Sequence, residues 1–345
     1  MTDNGQVRIL VLGGTQFLGR AIVQAAVNRR WEVVTFNRGQ AAPDVSGVTA
    51  VRGDRNVGAD TARLARLGEF DAVIDCTAFV PVNTLGIARL LEPVCQRYVL
   101  VSTVSIYADW PVRPLTEASP RLDCPPDAGP GYGPDDVEDG PTRYGRLKAG
   151  CEVAVEEAFG LGRSAVLRPG VVLGPGEYVG RLPWWLSRIQ AGGAVVAPGA
   201  PGRFIQPVDV RDVADFALHT IRAEVSGAFN VAAPSGTVTF AQLLEACRDV
   251  TGSDARLVWV DDEELVAAGV RQWSELPLWR THEGVWQLDA ARALGSGLTC
   301  RPVQHTVHDT WQWMRDAPPT AGHERSAELG LTRAHEQQLL ARHRL

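Results

Sequence analysis

A tyrosine and a lysine lie four residues apart in the segment Tyr144-Gly145-Arg146-Leu147-Lys148. On a helix this spacing places the phenol and the ammonium on one face. A nearby ammonium lowers the pKa of a phenol from its ordinary value of about 10 and makes it a usable general acid/base. The alternative is a pair on a helix surface, but Lys148 is the only lysine among 34 lysine and arginine residues, and a surface position would accept arginine equally well. We therefore predict that Tyr144 transfers a proton and that Lys148 activates it.

Three hydroxyl side chains form a second polar group, Ser102, Thr103 and Ser105, directly after the apolar run YVLV. The carboxyl ends of parallel strands face the ligand crevice of a sheet. A hydroxyl at that edge can donate a hydrogen bond to a substrate oxygen that alternates between carbonyl and alcohol. The alternative for any one of these hydroxyls is helix capping.

A glycine-rich turn follows the first apolar run, Val7–Leu12, and precedes an amphipathic stretch. Its residues are Gly13, Gly14, Thr15, Gln16, Phe17, Leu18 and Gly19. Such a turn lets backbone amides and a helix N-terminus approach a pyrophosphate, with Gly13 making the tight turn and Gly19 allowing close packing of the helix. We predict a dinucleotide-binding turn, and a tight turn without a ligand is the alternative.

The dipeptide Asn37-Arg38 follows the second apolar run, EVVTF. NAD-binding proteins usually have an acidic residue here that holds the ribose 2′-hydroxyl. A guanidinium instead pairs well with a phosphate group. The dipeptide therefore favours NADP(H) over NAD(H) as the cofactor, while an exposed arginine beside a loop is the alternative.

Alternating strands and helices must position these residues. Six apolar runs are candidate strands: Val7–Leu12, residues 32–36, Val48–Arg52, Ala72–Cys76, Tyr98–Ser102 and Ser164–Arg168. Because the runs are continuously apolar and helical patterns separate them, they indicate a parallel sheet covered on both faces. The sequence therefore predicts an α/β, doubly wound Rossmann domain over residues 1–174.

Two later parts of the chain differ from this pattern in amino-acid composition. Residues 109–143 form an acidic insertion rich in proline and glycine, and its position before Tyr144 favours an active-site flap over an inert insertion. From about residue 175 proline, glycine and tryptophan become frequent, which predicts a smaller mixed α/β substrate-binding domain at 175–320, interleaved with the first through segments near 205–230. Residues 321–345 are predicted to form a helical tail at the surface.

Composition argues against several classes of protein. The length of 345 residues suggests about two domains, and a net charge of −6 argues against nucleic-acid binding as the main activity. No segment is apolar enough to cross a bilayer, and the N-terminus has no export signal. The six cysteines form no CxxC pair and the seven histidines have no metal-ligand spacing, so we expect a cytoplasmic protein without a metal.

Taken together, the motifs resemble the extended short-chain dehydrogenase/reductases, the nucleotide-sugar epimerase/dehydratase-like group. The matching segments are VLGGTQFLG, TVSIYAD, the YxxxK pair, RPGVVLGPG and VDVRDVADF, which occur in the family's order up to about residue 313. The resemblance implies a catalytic triad of Thr103, Tyr144 and Lys148, with Lys148 also holding the nicotinamide ribose.

The resemblance also implies a set of cofactor contacts. They are Asp54 and Arg55 at the adenine, Cys76, Thr77 and Ala78 after the fourth strand, and Pro169 and Gly170 near the nicotinamide. Ser102, at the end of the fifth strand, is a further candidate cofactor contact, because the carboxyl ends of parallel strands face the ligand crevice. Ser105, Trp184 and Arg203 are candidates for substrate contacts, although tryptophan is more often a packing residue. A homodimer formed through a pair of helices is a further feature that the resemblance suggests.

Departures from the family pattern bear on the substrate. Gln16 replaces the middle glycine of GxxGxxG, Val171 replaces an asparagine that contacts nucleotide sugars, and Asp209 replaces a histidine. The 4,6-dehydratases carry an Asp-Glu pair where this chain has Val104-Ser105. These differences disfavour a sugar-nucleotide 4,6-dehydratase.

Three hypotheses about function follow. The first is epimerase-like hydride chemistry on a hydroxyl or ketone of a small sugar or sugar-like substrate. The second is NADPH-dependent reduction of a small carbonyl in specialised metabolism. The third is a non-catalytic RNA-binding role, because the GGTxFLG turn also resembles the chloroplast stem-loop RNA-binding proteins; the acidic charge and the Tyr144/Lys148 pair argue against it.

Overall fold

The computed structural model describes residues 6–137, 139–316 and 324–343, with the backbone alone at 324–325. The chain divides into two compact units. Unit 1 contains the residues up to Gly170, Val210–Ala232 and Gln287–Thr299, and unit 2 contains Val171–Asp209, Ala233–Trp286 and the residues from Cys300 onward.

The strands of the described ranges are numbered in chain order. They are β1 (Arg8–Leu12), β2 (Glu32–Asn37), β3 (Thr49–Arg52), β4 (Phe70–Asp75), β5 (Cys95–Val101), β6 (Ser164–Pro169), β7 (Val172–Leu173), β8 (Ala194–Pro198), β9 (Phe204–Ile205), β10 (Val208–Asp209), β11 (Gly227–Val231), β12 (Val238–Thr239) and β13 (Arg256–Val260).

The α-helices of the same ranges are α1 (Phe17–Asn28), α2 (Gly58–Thr61), α3 (Pro81–Leu91), α4 (Arg143–Phe159), α5 (Arg181–Gln190), α6 (Val210–Arg222), α7 (Phe240–Thr251), α8 (Asp262–Ala267), α9 (Ala291–Gly295), α10 (Val303–Asp316) and α11 (Arg333–Arg342). Short 3-10 turns lie at Leu64–Arg66, Glu92–Val94, Val104–Ile106, Glu283–Trp286 and Glu324–Glu328.

Unit 1 is built on a parallel sheet of seven strands in the order β11-β6-β5-β4-β1-β2-β3. Leu10 and Leu12 of β1 join one core cluster with residues of α3 and α4. Ile9 and Val11 alternate with them along the strand and are also fully buried, so both faces of the sheet are covered. Helices α1 and α6 pack together, as do α3 and α4. The predicted doubly wound Rossmann sheet is confirmed.

The segment at 109–143 belongs to unit 1 and is anchored there at a few buried residues, and Glu138 lies outside the described residues. Cys124 and Ala128 form a small buried cluster with Leu147 of α4. The N–H of Leu122 donates to the carbonyl of Ile106, and the N–H of Val82 in α3 donates to that of Ala128. Its predicted role as an active-site flap stays a prediction.

Unit 2 is a mixed α/β unit. Helix α7 packs against α5 and α10, and β13 pairs in parallel with β8. The two short pairs β7–β10 and β9–β12 are parallel and antiparallel respectively. Helix α11 contacts β8, where the carboxylate of Glu336 accepts the N–H of Val196 and also binds Arg188, and Leu339 of the same helix is 1% exposed. The described part of the predicted tail is therefore anchored to unit 2. Within the described part of the chain, no helix combines the length and the apolar character that crossing a membrane requires.

Candidate functional site

The glycine turn lies between β1 and α1 and has the backbone that only glycine adopts readily. Gly13 and Gly14 have φ angles of +104° and +94°, in the left-handed region where a Cβ is disfavoured. A Cβ on Gly13 would come within 2.9 Å of Cγ2 of Thr77, and one on Gly19 would come within 2.9 Å of the Gly14 nitrogen. The turn and the first helical residues therefore pack tightly against each other and against the segment after β4.

A cavity of about 320 Å³ opens beside this turn in unit 1. Four segments at the carboxyl edge of the sheet form its walls: the turn itself, the end of β2, the segment after β3 and the segment after β4. The sequence-predicted residues on its lining are Gly13, Thr15, Gln16, Asn37, Arg38, Asp54, Arg55 and Thr77. Phe17 and Leu18 begin α1 behind Gln16, whose extended backbone caps that helix without a side-chain hydrogen bond.

The end of β2 presents one exposed cation to the cavity. The side-chain oxygen of Asn37 accepts hydrogen bonds from the Gly39 N–H at 2.8 Å and from Arg52 at 2.6 Å, and its amide nitrogen donates to Asp44. Arg52 also holds the pKa of Asp44 below its ordinary value by hydrogen bonding. Arg38 lies on the cavity lining and is exposed. A glycine cradle, a helix N-terminus and an exposed guanidinium at one cavity fit a dinucleotide.

Arg55 and Asp75 make a buried contact that the sequence did not suggest. Nη1 and Nη2 of Arg55 donate to the two carboxylate oxygens of Asp75, at 2.8 and 3.0 Å. Asp54 uses one carboxylate oxygen to accept the N–H of Asn56. Asp75 ends the apolar strand FDAVID, where a buried carboxylate requires a partner, but no residue pattern identified Arg55 as that partner.

Lys148 is buried and occupies the edge where β4 and β5 end. Only 2% of the residue is exposed, and its Nζ donates to the carbonyl of Ala78 at 2.8 Å and to that of Val101 at 2.6 Å. The ammonium also lies 5.5 Å from the ring centre of Phe79, a residue of the cavity lining. Burial lowers the pKa of Lys148, while the nearby carboxylate of Asp75 opposes that shift.

The segment Val104–Ile106 contacts the start of α4, which carries Tyr144. A Cβ on Gly145 would come within 2.1 Å of the Ser105 carbonyl oxygen, so only glycine permits this approach. Thr142 caps the helix by accepting the Gly145 N–H at 3.0 Å. Because Gly145 directly follows Tyr144, the tyrosine is brought to the turn that Thr103 begins. Tyr144 is 46% exposed.

Thr103 and Ser105 interact with each other in that turn. Oγ1 of Thr103 accepts the Ser105 N–H at 3.2 Å and lies 3.3 Å from the Ser105 hydroxyl. Thr103 follows Val101, whose carbonyl holds Lys148, by two residues. The structure thus brings the three residues of the predicted triad to one edge of the sheet in unit 1; their catalytic roles stay predictions.

Ser102 has a different environment from the one expected of a ligand contact. Its hydroxyl donates to the fully buried carboxylate of Glu152 at 2.5 Å. Arg168 donates to both oxygens of Glu152, at 3.0 and 2.7 Å, and to the hydroxyl of Tyr107 at 2.9 Å. Burial raises the pKa of Tyr107 to about 12. This network supports β5 and β6 from inside unit 1, and a cofactor contact of Ser102 stays a prediction.

The remaining predicted residues divide between the two units. Cys76 lies beside the glycine turn, and burial raises the pKa of its thiol to about 12. Pro169 ends β6 and Gly170 packs against Leu288, all in unit 1. In unit 2, Trp184 stacks edge-on against Trp185 with ring centres 4.7 Å apart. Arg203 of the same unit pairs with Asp262 and donates to the carbonyl of Arg280, so it already has an anionic partner.

Comparisons with known proteins bear on this arrangement. A sequence model described as the NAD dependent epimerase/dehydratase family matches residues 9–232. A curated relative is the chloroplast stem-loop binding protein of 41 kDa b of Arabidopsis thaliana, which is 23% identical over 270 residues; the match covers 73% of this chain and 65% of that protein's length.

Solved structures share the fold. The enzyme WbmG of Bordetella bronchiseptica, solved in complex with NAD, has a TM-score of 0.66 at 15% identity, covering 91% of this chain and 96% of that one. UDP-glucose 4-epimerase of Thermotoga maritima, solved with UDP-glucose, has a TM-score of 0.64 at 18% identity, covering 90% and 99%.

Proposed function

The chain belongs to the NAD-dependent epimerase/dehydratase family, and from this premise we propose that it is an NAD(P)-dependent oxidoreductase with epimerase-like chemistry. Its substrate is a small molecule with a sugar or sugar-like hydroxyl, which is oxidised to a ketone and reduced again. The observation that carries the proposal is the burial of Lys148 at the carboxyl edge of the sheet, on the helix whose first turn bears Tyr144.

The residues of the triad have different tasks in the reaction. A nicotinamide cofactor, held by the glycine turn and the cavity beside it, would supply the hydride acceptor and donor. The deprotonated phenol of Tyr144 takes the proton from the substrate hydroxyl as the substrate is oxidised, and the neutral phenol returns that proton when the ketone is reduced. Thr103 donates a hydrogen bond to the same substrate oxygen. The fixed charge of Lys148 favours the deprotonated phenol of Tyr144, since an opposite charge nearby stabilises an anion.

The test of this proposal is a pair of tyrosine variants. Tyr144→Phe removes the hydroxyl at an exposed site and is expected to lower turnover by about 10²–10⁴-fold, with little effect on stability. Tyr132→Phe is the matched control, because Tyr132 is also partly exposed and lies in the acidic insertion. Turnover of Tyr144→Phe close to that of the control would contradict the acid/base assignment.

A second candidate, NADPH-dependent reduction of a small carbonyl, is favoured by one observation. Arg38 is the exposed cation at the end of β2, where an acid would favour the 2′-hydroxyl of NAD. In such a reductase the same Tyr144 donates its proton once per turnover. Cofactor exchange separates the two candidates, because an epimerase restores its cofactor in every cycle and a reductase consumes it.

The Arabidopsis relative is named a stem-loop binding protein, and for this reason RNA binding is the third hypothesis. The net charge of −6 opposes it, since nucleic-acid affinity rests mainly on cations that neutralise phosphates. Measuring RNA retention on a filter, at low salt, tests the third hypothesis directly.

We propose a cytoplasmic enzyme that acts on a small molecule, without a nucleic-acid or membrane partner. A homodimer is also part of the proposal.

A further inference from the structure

The carboxylate of Asp75 is held by hydrogen bonds from three residues of unit 1. Arg55 supplies two of its hydrogen bonds, the hydroxyl of Tyr98 supplies a third at 2.7 Å, and the backbone N–H of Thr77 supplies a fourth at 2.8 Å. The side chain of Asp75 is fully buried and that of Arg55 is 13% exposed. A buried pair with this many partners is held rigidly, because its groups have no comparable arrangement to move to.

Thr77 connects this pair to Lys148. Nη1 of Arg55 donates to Oγ1 of Thr77 at 2.7 Å, so the side chain and the backbone of Thr77 are both tied to the pair. The next residue, Ala78, offers its carbonyl to Nζ of Lys148 at 2.8 Å. The location of that carbonyl therefore depends on the location of Thr77.

Charges link the pair to the ammonium as well. The titratable groups that shift the pKa of Lys148 are Cys151, Asp75, Glu152 and Arg55. The charge of Lys148 in turn opposes the rise that burial causes in the pKa of Cys76. Burial lowers the pKa of Lys148, the first three groups oppose that shift, and Arg55 adds to it. Burial would raise the pKa of Asp75, but Arg55 and Tyr98 hold it below its ordinary value.

We propose that the Arg55–Asp75 pair is a positioning device for Lys148. By fixing Thr77, the pair fixes the Ala78 carbonyl that receives the ammonium, and so keeps the ammonium beside Phe79 at the cofactor cavity. The effect of the Arg55–Asp75 pair on turnover rests on the proposed function, whereas the dependence of the position of Lys148 on the pair does not. An ion pair that only stabilises the sheet edge is the competing account.

The single lysine makes the test direct. Full-length protein grown with ¹³Cε-labelled lysine, and carrying a lysine-free tag, gives one lysine carbon signal in an NMR spectrum, and that signal reports Lys148 alone. The signal is followed against pH in wild type, Arg55→Met and Asp75→Asn. Arg188→Met is the matched control, because it breaks another largely buried arginine–carboxylate pair, Arg188–Glu336, in unit 2.

In wild-type protein, we expect the lysine carbon signal to titrate with a midpoint below the ordinary lysine pKa of about 10.4. Asp75→Asn removes a favourable negative charge and moves the midpoint further down, whereas Arg55→Met removes an unfavourable positive charge and moves it up. Both variants also change the carbon shift at neutral pH, since the Ala78 carbonyl moves. The control changes neither quantity. The midpoint responds to the loss of charge alone, so the carbon shift at neutral pH decides: an unchanged shift in both variants would overturn the proposal and leave the pair a purely structural one.

Two further variants serve if either single variant does not fold. Tyr98→Phe removes one hydrogen bond to Asp75 and keeps both charges, so it should change the shift with little change in midpoint. Arg55→Met together with Asp75→Asn keeps the net charge, so its midpoint should return towards the wild-type value while its shift stays altered. If the lysine carbon kept its wild-type chemical shift in both Tyr98→Phe and the double variant, the proposal would be contradicted. The signal does not depend on catalysis, so this result and that of Tyr144→Phe can fail separately.

Discussion

A substitution at Gly145 tests whether α4 packs against the Ser105 turn as closely as the structure shows. Replacing it with alanine places a Cβ within 2.1 Å of the Ser105 carbonyl oxygen, whereas real Cβ contacts essentially never fall under 3.0 Å. Helix α4 and the Ser105 turn must therefore separate by about 1 Å. Because a misplacement of about 1 Å costs roughly 100-fold in rate, we expect Gly145→Ala to lower turnover by about that factor.

The same substitution has a stability cost that a control can isolate. Overpacking costs about 1–3 kcal/mol, while alanine gains up to about 1 kcal/mol over glycine within a helix. Gly86→Ala in α3 measures that gain alone, since a Cβ on Gly86 meets nothing within 4 Å. Urea unfolding should give Gly145→Ala a free energy of unfolding about 1–3 kcal/mol below that of Gly86→Ala. If Gly145→Ala matched Gly86→Ala in stability and wild type in turnover, the close approach of α4 to Ser105 would be wrong.

Three further predictions concern charged groups. Arg38→Ala should lower the ratio of NADPH to NADH affinity by about 10-fold or more in calorimetric titrations, because a charge-assisted hydrogen bond contributes about 1.5–3 kcal/mol; an unchanged ratio would mean that another residue sets the preference. Lys148→Arg should reduce stability by about 1–3 kcal/mol in urea, because a larger guanidinium must replace an ammonium already bound to two carbonyls; wild-type stability would argue against tight packing there. The depressed pKa of Asp75 means that its charge stabilises the fold above the ordinary aspartate pKa of about 4 and that this contribution is lost as pH falls through the depressed value. Unfolding experiments from pH 6 to pH 2 should therefore show a weaker acid dependence in Asp75→Asn than in wild type, and an equal dependence would assign acid unfolding to other carboxylates.

Much of unit 1 was predictable because its strands are continuously buried. The apolar runs before residue 170 all became strands of one sheet, and the glycine turn lies where the first strand meets the first helix. The seventh strand, β11 (Gly227–Val231), was not predicted, since it comes from a later segment that returns to unit 1. Its pairing with β6 depends on tertiary structure, which a run of five residues does not encode.

The candidate site was predictable in its residue types and less so in its contacts. The spacing of Tyr144 and Lys148 identified the helix face, but the fit of Gly145 against Ser105 depends on two segments about 40 residues apart in sequence and appears only in three dimensions. Likewise, Arg55 turns towards Asp75 and Ser102 towards Glu152, because buried carboxylates require donors wherever the chain supplies them.

The central claim is that the cavity beside the glycine turn holds a nicotinamide dinucleotide. The most direct test is to denature freshly purified protein, to identify any released nucleotide by chromatography and mass spectrometry, and to titrate nucleotide-free protein with NAD⁺ and NADPH. We expect a dinucleotide either to be released in about equimolar amount, as a self-contained epimerase cycle requires, or to bind reversibly, as a reductase requires. Protein that neither carries nor binds a dinucleotide would contradict the account and would favour the RNA-binding hypothesis.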